Sequence, residues 1–271
     1  MDFVDTHCHI QSARSASGER TTAEIWSKNP QLTAANLIAE ATAAGVRQLV
    51  CVGCDLADSQ LAVAFAQSQS KVWASIGIHP HEAKTYAHDA LAQAAFINLA
   101  SQPKIVAIGE CGLDYFYNHS SKGDQIAALH LQIQLALKRS LPLIFHVREA
   151  FDDFWPIFEQ YEGIRGVLHS FTDSQQNLDR AVAHDLLIGV NGIVTFVKQP
   201  LQLAVYKAIP LRNLILETDA PFLTPTPYRG TVNEPKHVVQ VATFLSRLRS
   251  VELTELAAAT TTNANKLFSL V

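Results

Sequence analysis

Hydrophobic and polar positions alternate along this chain in a repeating order of short and long segments. Short runs rich in Val, Ile and Leu are followed by longer Ala- and Leu-rich stretches in which apolar residues recur at helical spacing. Eight short runs are predicted strands, at residues 3–9, 47–53, 72–79, 104–110, 142–147, 165–170, 186–192 and 213–219. A strand followed by a helix, repeated eight times in roughly 250 residues, predicts an α/β protein with the (β/α)8 TIM barrel fold.

A doubly wound open sheet is the alternative to this barrel. It would need fewer strands and usually a glycine-rich phosphate loop after the first strand, and neither G-x-G-x-x-G nor a Walker A sequence occurs. The clearest predicted helices cover residues 32–45, 59–70, 124–140, 174–185, 200–209, 235–249 and 252–269. Residues 11–31 are polar with few periodic positions. No stretch has the composition of a linker, so we expect a single domain over residues 1–271.

Composition narrows the class of protein. The chain is 48% hydrophobic and 17% charged, as in folded globular proteins. Its 21 basic and 25 acidic residues give a net charge of −4, which argues against sequence-independent coating of nucleic acid but not against a nucleic-acid substrate. The first residues, MDFVDTHCHI, lack the basic start of a signal peptide, and no apolar run could span a bilayer. We therefore expect a cytoplasmic monomer without a membrane partner.

The first predicted strand carries two histidines at alternate positions, His7 and His9, with Asp5 on the same face. Every second side chain of a barrel strand points inward, so both imidazoles should converge. Neutral imidazole is a common ligand of transition metals, although the pair alone is also compatible with buried polar contacts. Asp5 and Glu217 are expected either to orient the imidazoles or to form part of a buried salt bridge.

Further acids and histidines stand at or near the ends of four other predicted strands. The carboxyl ends of all strands meet at the mouth of a (β/α)8 barrel, where active sites lie. Several imidazoles and carboxylates gathered there would be unfavourable without a compensating cation. The sequence therefore predicts a metal centre with six ligands, His7, His9, Glu110, His146, His169 and Asp219.

The number of ligands predicts two divalent ions, because a catalytic zinc-like site typically uses three protein ligands and a water. Glu110 is the expected bridge, since the fourth strand lies between the first-strand histidines and those of strands five and six. Asp219 is expected to bind an ion and to accept a proton from the attacking water, so Asp219 and Glu110 are the predicted catalytic residues. Histidine-rich ligation favours Zn²⁺, Mn²⁺ or Ni²⁺, with Mg²⁺ suited to a weaker site.

Six further residues are expected on the substrate side: Arg148, Arg229, His79, His81, Asp114 and Tyr115. A guanidinium binds phosphate through two parallel hydrogen bonds, although a single arginine is more often a solvated surface residue. His79 and His81, in GIHPH, could hydrogen-bond a phosphate or a leaving group. The segment GLDYF places Asp114 and Tyr115 where they could line the pocket.

Six motifs in order resemble the TatD family of metal-dependent deoxyribonucleases. They are DTHCH, GIHPH, GECGLDYF, LPLIFHVREA, GVLHSF and LETDAPFLTP…RG…NEP, and they extend from residue 5 to about residue 235. The resemblance implies an amidohydrolase-like barrel with two, sometimes three, divalent ions held by the same six ligands. It also implies cleavage of DNA, often from a 3′ end. Cys111 departs from the family pattern, in which an aliphatic residue is expected.

The leading hypothesis is a metal-dependent hydrolase of ester bonds, specifically a deoxyribonuclease of the 3′–5′ exonuclease type that uses water activated by two metal ions. One alternative keeps the ions but cleaves a carboxylic ester, as in a D-aminoacyl-tRNA deacylase. In a third hypothesis the ions only stabilise the fold, but six side chains shared by two ions leave coordination positions open, which is typical of catalytic sites.

Overall fold

The computed structural model of the protein describes residues 1–14, 21–117 and 119–270. It contains the eight strands at the places that the apolar runs predict. They are β1 Phe3–Cys8, β2 Val46–Val52, β3 Val72–Ile76, β4 Ile105–Asp114, β5 Leu143–Arg148, β6 Gly166–Leu168, β7 Leu187–Val190 and β8 Leu214–Leu216. The strands follow one another in the sheet in chain order, from β1 to β8.

Helices alternate with these strands. The α-helices of the described residues are α1 Thr21–Ser27, α2 Ala34–Ala43, α3 Leu56–Gln67, α4 Ala83–Tyr86, α5 Ala90–Leu99, α6 Lys122–Arg139, α7 Phe151–Phe158, α8 Gln175–Ala183, α9 Pro200–Ala208, α10 Val238–Arg249 and α11 Leu253–Phe268. Short 3₁₀ turns lie at Ile10–Arg14, Pro80–Glu82, Gly192–Thr195, Leu211–Asn213 and Pro235–His237. None of the described helices combines the length and the apolar character that a membrane crossing requires.

The chain forms two compact units, and the first comprises Met1–Cys51, Ser170–Lys266 and Leu270–Val271. Strands β1 and β2 pair in parallel, with Phe3 opposite Val46, and β7 pairs with β8, with Val190 opposite Leu216. Helix α10 buries one apolar face because its apolar residues recur three and four positions apart. The buried residues of this face are Val238, Val241, Ala242 and Leu245.

The second unit comprises Val52–His169 and Leu267–Ser269. Its strands β3, β4, β5 and β6 pair in parallel, each with the next in the chain. Helix α6 begins after Ser121, whose hydroxyl accepts a hydrogen bond from the Asp124 amide and so caps the helix. Phe145 of β5 packs edge-to-face against Phe154 and Phe158 of α7, which fixes this strand against its helix.

The ends of several strands differ from the sequence prediction. Strand β4 continues four residues beyond Glu110 to Asp114, because residues 111–114 pair in register with residues 145–148 of β5. Strands β6 and β8 end at Leu168 and Leu216, so that His169 and Asp219 lie just beyond the strands. Helix α1 occupies part of the stretch 11–31, for which the sequence suggested no element, and residues 15–20 of that stretch lie outside the described residues.

Candidate metal-binding clusters

The first cluster lies in the first unit and consists of His7, His9 and Asp219. Nε2 of His7 lies 3.7 Å and Nε2 of His9 lies 3.3 Å from the same atom, Oδ1 of Asp219. The two imidazole centroids are 5.1 Å apart, as expected for alternate residues on one face of a strand. His7 and His9 are buried, whereas the Asp219 side chain is 15% exposed.

Main-chain contacts hold Asp219 beside the histidines. Its amide donates to the carbonyl of His7 at 2.8 Å, and the His9 amide donates to the carbonyl of Ala220, also at 2.8 Å. Asp219 has a φ of +60°, a left-handed conformation that aspartate tolerates better than bulky residues do. The segment after β8 therefore turns sharply at Asp219, which directs its carboxylate toward both imidazoles.

Asp5 binds the main chain rather than an imidazole ring. Its Oδ1 accepts hydrogen bonds from the amides of Thr218 at 2.8 Å and His7 at 3.3 Å, and its Oδ2 accepts from the Thr218 hydroxyl at 2.6 Å. Burial raises the pKa of Asp5 to about 8, against the opposing effect of these hydrogen bonds. The contacts differ from both roles that the sequence suggested, and they join β1 to the segment after β8.

Glu217 also accepts a main-chain hydrogen bond. Its Oε1 accepts from the Ser170 amide at 2.7 Å and from Nδ2 of Asn191 at 3.2 Å. The carboxylate thereby connects the segment after β8 to the residues that flank β7 within the first unit.

The second cluster lies in the second unit and is centred on Glu110 of β4. Oε1 of Glu110 lies 2.7 Å from Nδ1 of His146, 3.6 Å from Nε2 of His79 and 3.7 Å from Nε2 of His169. Candidate ligand atoms of His79, Glu110 and His146 lie within 4.8 Å of one another. The role of His79 on the substrate side stays a prediction, and the structure adds that its ring lies against Glu110. The motif GIHPH directly after β3 was the available signal for this position.

Asp114, at the end of β4, connects the second cluster to two histidines. Its Oδ2 lies 3.0 Å from Nε2 of His146 and 3.1 Å from Nε2 of His81. The two nitrogens of His146 therefore face two carboxylates, those of Glu110 and Asp114. A carboxylate on the distal nitrogen of an imidazole is a common way to orient a metal-binding histidine, so Asp114 can hold His146 in place as well as line a pocket.

The surroundings of these groups shift their pKa values in different directions. Burial disfavours the charged imidazole of His146, but hydrogen bonds to Asp114 and Glu110 outweigh it and raise the pKa of His146 to about 9. Burial also opposes ionisation of Asp114, yet hydrogen bonds from His146 and His81 hold the pKa of Asp114 well below its usual range. Burial lowers the pKa of His79 to about 3, so this ring is neutral at pH 7.

A close approach between β4 and β5 positions His146. Gly112 lies opposite His146 in the strand register and has a φ of +146°, which glycine adopts without strain. A Cβ at this position would overlap the carbonyl oxygen of His146. The glycine that separates Glu110 from Asp114 thus allows both carboxylates to reach the same imidazole.

The remaining residues from the substrate side lie near the surface. The Arg148 guanidinium stands 4.0 Å from the ring centroid of Phe116, and Tyr115 donates its hydroxyl proton to Asp153 at 2.8 Å. In the first unit, Arg229 donates to the carbonyl of Thr224 at 2.8 Å and stacks over Phe196 at 3.9 Å. A contact of Arg148, Tyr115 or Arg229 with a substrate therefore stays a prediction.

Both clusters combine buried or partly buried imidazoles with carboxylate oxygens, the donor set that suits Zn²⁺, Mn²⁺ and Ni²⁺. Residues 4–269 match a protein family described as TatD related DNase. The chain belongs to this family. It is 35% identical over 242 residues to the "3'-5' ssDNA/RNA exonuclease TatD" of Escherichia coli K12, a match that covers 87% of this chain and 92% of the relative.

Two further proteins are similar to this chain over most of its length. The "uncharacterized metal-dependent hydrolase YabD" of Bacillus subtilis is 36% identical over 236 residues, covering 86% of this chain and 92% of the relative. The crystal structure of the TatD homologue YjjV from E. coli K12 is 26% identical and superposes with a TM-score of 0.84, covering 99% of this chain and 98% of that chain. With the strand order β1 to β8, this likeness confirms the predicted (β/α)8 barrel class.

Proposed function

We propose that this protein is a metal-dependent hydrolase of phosphodiester bonds in DNA, acting as a 3′–5′ exonuclease. The observation that carries the proposal is the arrangement around Glu110, whose Oε1 faces nitrogens of His146, His79 and His169 within 3.7 Å. Membership of the TatD family supports the same reaction class, and the E. coli relative carries the name of such an exonuclease. The carboxylic-ester alternative has no comparable support from these relatives.

The six residues that the sequence marked would hold two divalent ions, of Zn²⁺, Mn²⁺, Ni²⁺ or Mg²⁺: His7, His9, Glu110, His146, His169 and Asp219. When bound, such ions polarise a phosphate and lower the pKa of a water molecule to about 7. The support is that each unit by itself brings imidazoles and a carboxylate together. Glu110, which faces three imidazole nitrogens through one oxygen, would supply a carboxylate ligand within the second cluster.

The protein side chains around the ions would orient ligands and accept a proton. Asp219 is the most exposed member of the first cluster, with 15% of its side chain accessible against 0% for His7 and 5% for His9, so it suits acceptance of the proton of the attacking water. Asp114 would hold His146 and His81 in position through Oδ2. Arg148 and Arg229 would supply positive charge for the phosphate, and Tyr115 would line the pocket.

The sequence further leads us to propose that residues 1–271 act as one catalytic domain, as a monomer, in the cytoplasm. The family match over residues 4–269 supports the single domain. A single-stranded or frayed DNA end is the proposed partner. Size-exclusion chromatography with light scattering would test the monomer, because a mass of twice 29.7 kDa would contradict it.

A nuclease assay tests the reaction. The purified protein is incubated with 5′-labelled single-stranded and duplex DNA in Mg²⁺, Mn²⁺ or Zn²⁺, with EDTA as a control. We expect a ladder that shortens from the 3′ end, is abolished by EDTA, and falls at least about a hundredfold in Glu110→Gln because the central carboxylate is lost. The exposed Glu162→Gln is the matched control and should retain full activity. No metal-dependent shortening, or equal activity of Glu110→Gln and wild type, would contradict the proposal.

A further inference from the structure

The turn after β4 exposes two adjacent aromatic side chains beside the second cluster. Phe116 is 50% and Tyr117 is 51% exposed. The other large hydrophobic side chains exposed among the described residues are separate from one another in the chain: Met1, Leu61, Leu91, Leu201 and Tyr228. Exposed apolar side chains that are contiguous, unlike single scattered ones, can mark a binding site.

The turn is held rigidly although its rings are exposed. Oδ1 of Asp114 accepts hydrogen bonds from the amides of Phe116 and Tyr117, both at 3.0 Å. The buried amide of Gln125 bonds both the amide and the carbonyl of Asp114, at 2.7 and 3.0 Å, and also the carbonyl of Ser120. The rings therefore stand on a fixed backbone, which is the condition for a preorganised binding surface.

The same carboxylate connects the rings to the candidate ligands. Oδ2 of Asp114 contacts His146 and His81, while its Oδ1 holds the turn. The ring of Tyr117 also packs edge-to-face on His81, with centroids 5.5 Å apart, and stacks with His119 at 5.9 Å, so a base would stack on the opposite face of Tyr117. A molecule that rests on Tyr117 therefore lies one side chain away from the second cluster.

Positive charge accompanies the rings. The exposed guanidinium of Arg148 lies 4.0 Å from the centroid of Phe116 and 4.8 Å from that of Tyr117. Arginine held between aromatic rings can still direct N–H groups to a phosphate. Aromatic faces next to a cation are the elements with which proteins bind the bases and the backbone of single strands.

The angle between the rings selects the form of nucleic acid. The planes of Phe116 and Tyr117 are inclined at 89°, with centroids 4.8 Å apart. Neighbouring bases in a duplex lie parallel, so two bases stacked on these perpendicular rings must be separated from each other. Only an unstacked single strand can meet this requirement.

We infer that Phe116 and Tyr117 form a base-stacking surface that holds two unstacked nucleotides of single-stranded DNA beside the Asp114–His146 pair, with Arg148 on the phosphate between them. This inference rests on the proposed function and adds the residues that select a single strand. Phe116 and Tyr117 act in binding and selectivity, and they take no part in bond cleavage.

Equilibrium binding tests the inference without relying on turnover. The probe is a fluorescent, nuclease-resistant phosphorothioate oligonucleotide, compared with one whose last three 3′ nucleotides are abasic. Wild type should bind the abasic probe at least about fivefold more weakly, because each stacked base contributes at least that factor. The double variant Phe116→Ala/Tyr117→Ala should bind both probes equally weakly.

Two sets of controls separate stacking from folding. Phe116→Tyr and Tyr117→Phe keep the rings and should retain the discrimination between the probes. Leu91→Ala removes an 84% exposed aliphatic side chain in the same unit and should bind as wild type. Melting temperatures of all variants should match that of wild type, because the substituted side chains are exposed.

The inference is overturned if the double variant still prefers the probe with bases, or if it loses affinity for both probes by the same factor. It is also overturned if the wild-type preference for single-stranded over duplex probe is unchanged in the double variant. Base-dependent binding by a wild-type protein that cleaves no DNA would reject the proposed function and retain the stacking surface. If the wild-type protein cleaves DNA but the double variant still discriminates between the two probes, the proposed function is retained and the stacking surface is rejected.

Discussion

Adding one methyl group at Gly112 would test whether the close approach of β4 and β5 positions His146. Gly112 has a φ of +146°, and a Cβ built on it overlaps the His146 carbonyl oxygen. Gly163, in the same unit, has a φ of +77° but open space around a Cβ, with no heavy atom within 4 Å. Gly112→Ala and Gly163→Ala therefore both place a side chain at a positive φ, which is less favourable at +146° than at +77°, and only Gly112→Ala adds the steric overlap.

The expected loss in the free energy of unfolding has two contributions, the backbone strain and the steric overlap. A side chain forced into a sparsely populated backbone conformation loses about 1–3 kcal/mol, and this loss applies to both variants. Relief of the overlap at Gly112 requires β4 to move away from β5, where Gly112 lies opposite His146. Breaking two hydrogen bonds of the ladder would remove about 1 kcal/mol each, and more if a buried amide is left without an acceptor. Gly112→Ala should therefore lose about 2–4 kcal/mol more than Gly163→Ala.

Urea unfolding followed by circular dichroism measures this difference, and metal analysis of the purified variants shows its effect on His146. We expect Gly112→Ala to retain less metal and to lose at least about tenfold in nuclease activity, because misplaced ligands bind and act less well. Gly163→Ala should retain wild-type metal content. Equal free energies of unfolding for the two variants, together with equal metal content, would refute the reasoning.

Substitutions at three further positions, one of them with a control, test contacts outside the six candidate ligands. Thr218→Val removes the hydroxyl that bonds the buried Asp5 and should lower the free energy of unfolding by about 2 kcal/mol, whereas Thr261→Val, at an exposed hydroxyl bond, should change it by less than about 0.5 kcal/mol. Gln125→Leu removes the amide that holds both ends of the turn after β4 and should lower stability by about 3 kcal/mol. His237 is buried, and burial, with Lys236 nearby, lowers its pKa to about 4. In the unfolded chain the pKa of His237 is about 6.5, so the unfolded state binds more protons than the folded state between pH 4 and pH 6.5. The wild-type protein therefore loses stability as the pH falls through this window. In His237→Gln this loss is absent, and its stability relative to wild type should improve by about 1–2 kcal/mol from pH 7 to pH 5.

Each of these predictions has a direct contradiction. Similar losses in the two threonine variants would show that the buried carboxylate does not depend on the hydroxyl. A wild-type melting curve for Gln125→Leu would show that the turn is held by other contacts. A stability difference between His237→Gln and wild type that stays constant from pH 7 to pH 5 would show that the histidine titrates normally in the folded state.

Periodicity located the strands because a buried parallel strand is a continuous apolar run, whatever its neighbours are. It could not locate the end of β4, because Gly112 and Asp114 are typical of loops. These residues belong to the strand through pairing with β5, a tertiary interaction that local sequence does not encode. For the same reason the sequence predicted Glu110 at the end of the strand, whereas it lies within β4.

The sequence could predict the candidate ligands because the ability to bind a metal ion depends on residue type and on position along a strand. His7 lies in β1 and His9 directly follows its last residue, so their alternate positions put both rings on one side, and this needs no tertiary information. The placement of His79 against Glu110 depends on the turn after β3, and the contact of Asp114 with His146 depends on the extension of β4. Both are consequences of packing, so the sequence indicated the residues but not their partners.

The first cluster joins segments that lie more than 200 residues apart in the chain. His7 and His9 are synthesised well before Asp219, which follows them in the chain by 212 and 210 residues. Until then β1 lacks the contacts that Ala220 and Thr218 give it, and a nascent chain holds two histidines without their carboxylate. A translation product that stops before Asp219 cannot complete this cluster, so metal binding by all three residues would require synthesis to have passed Asp219.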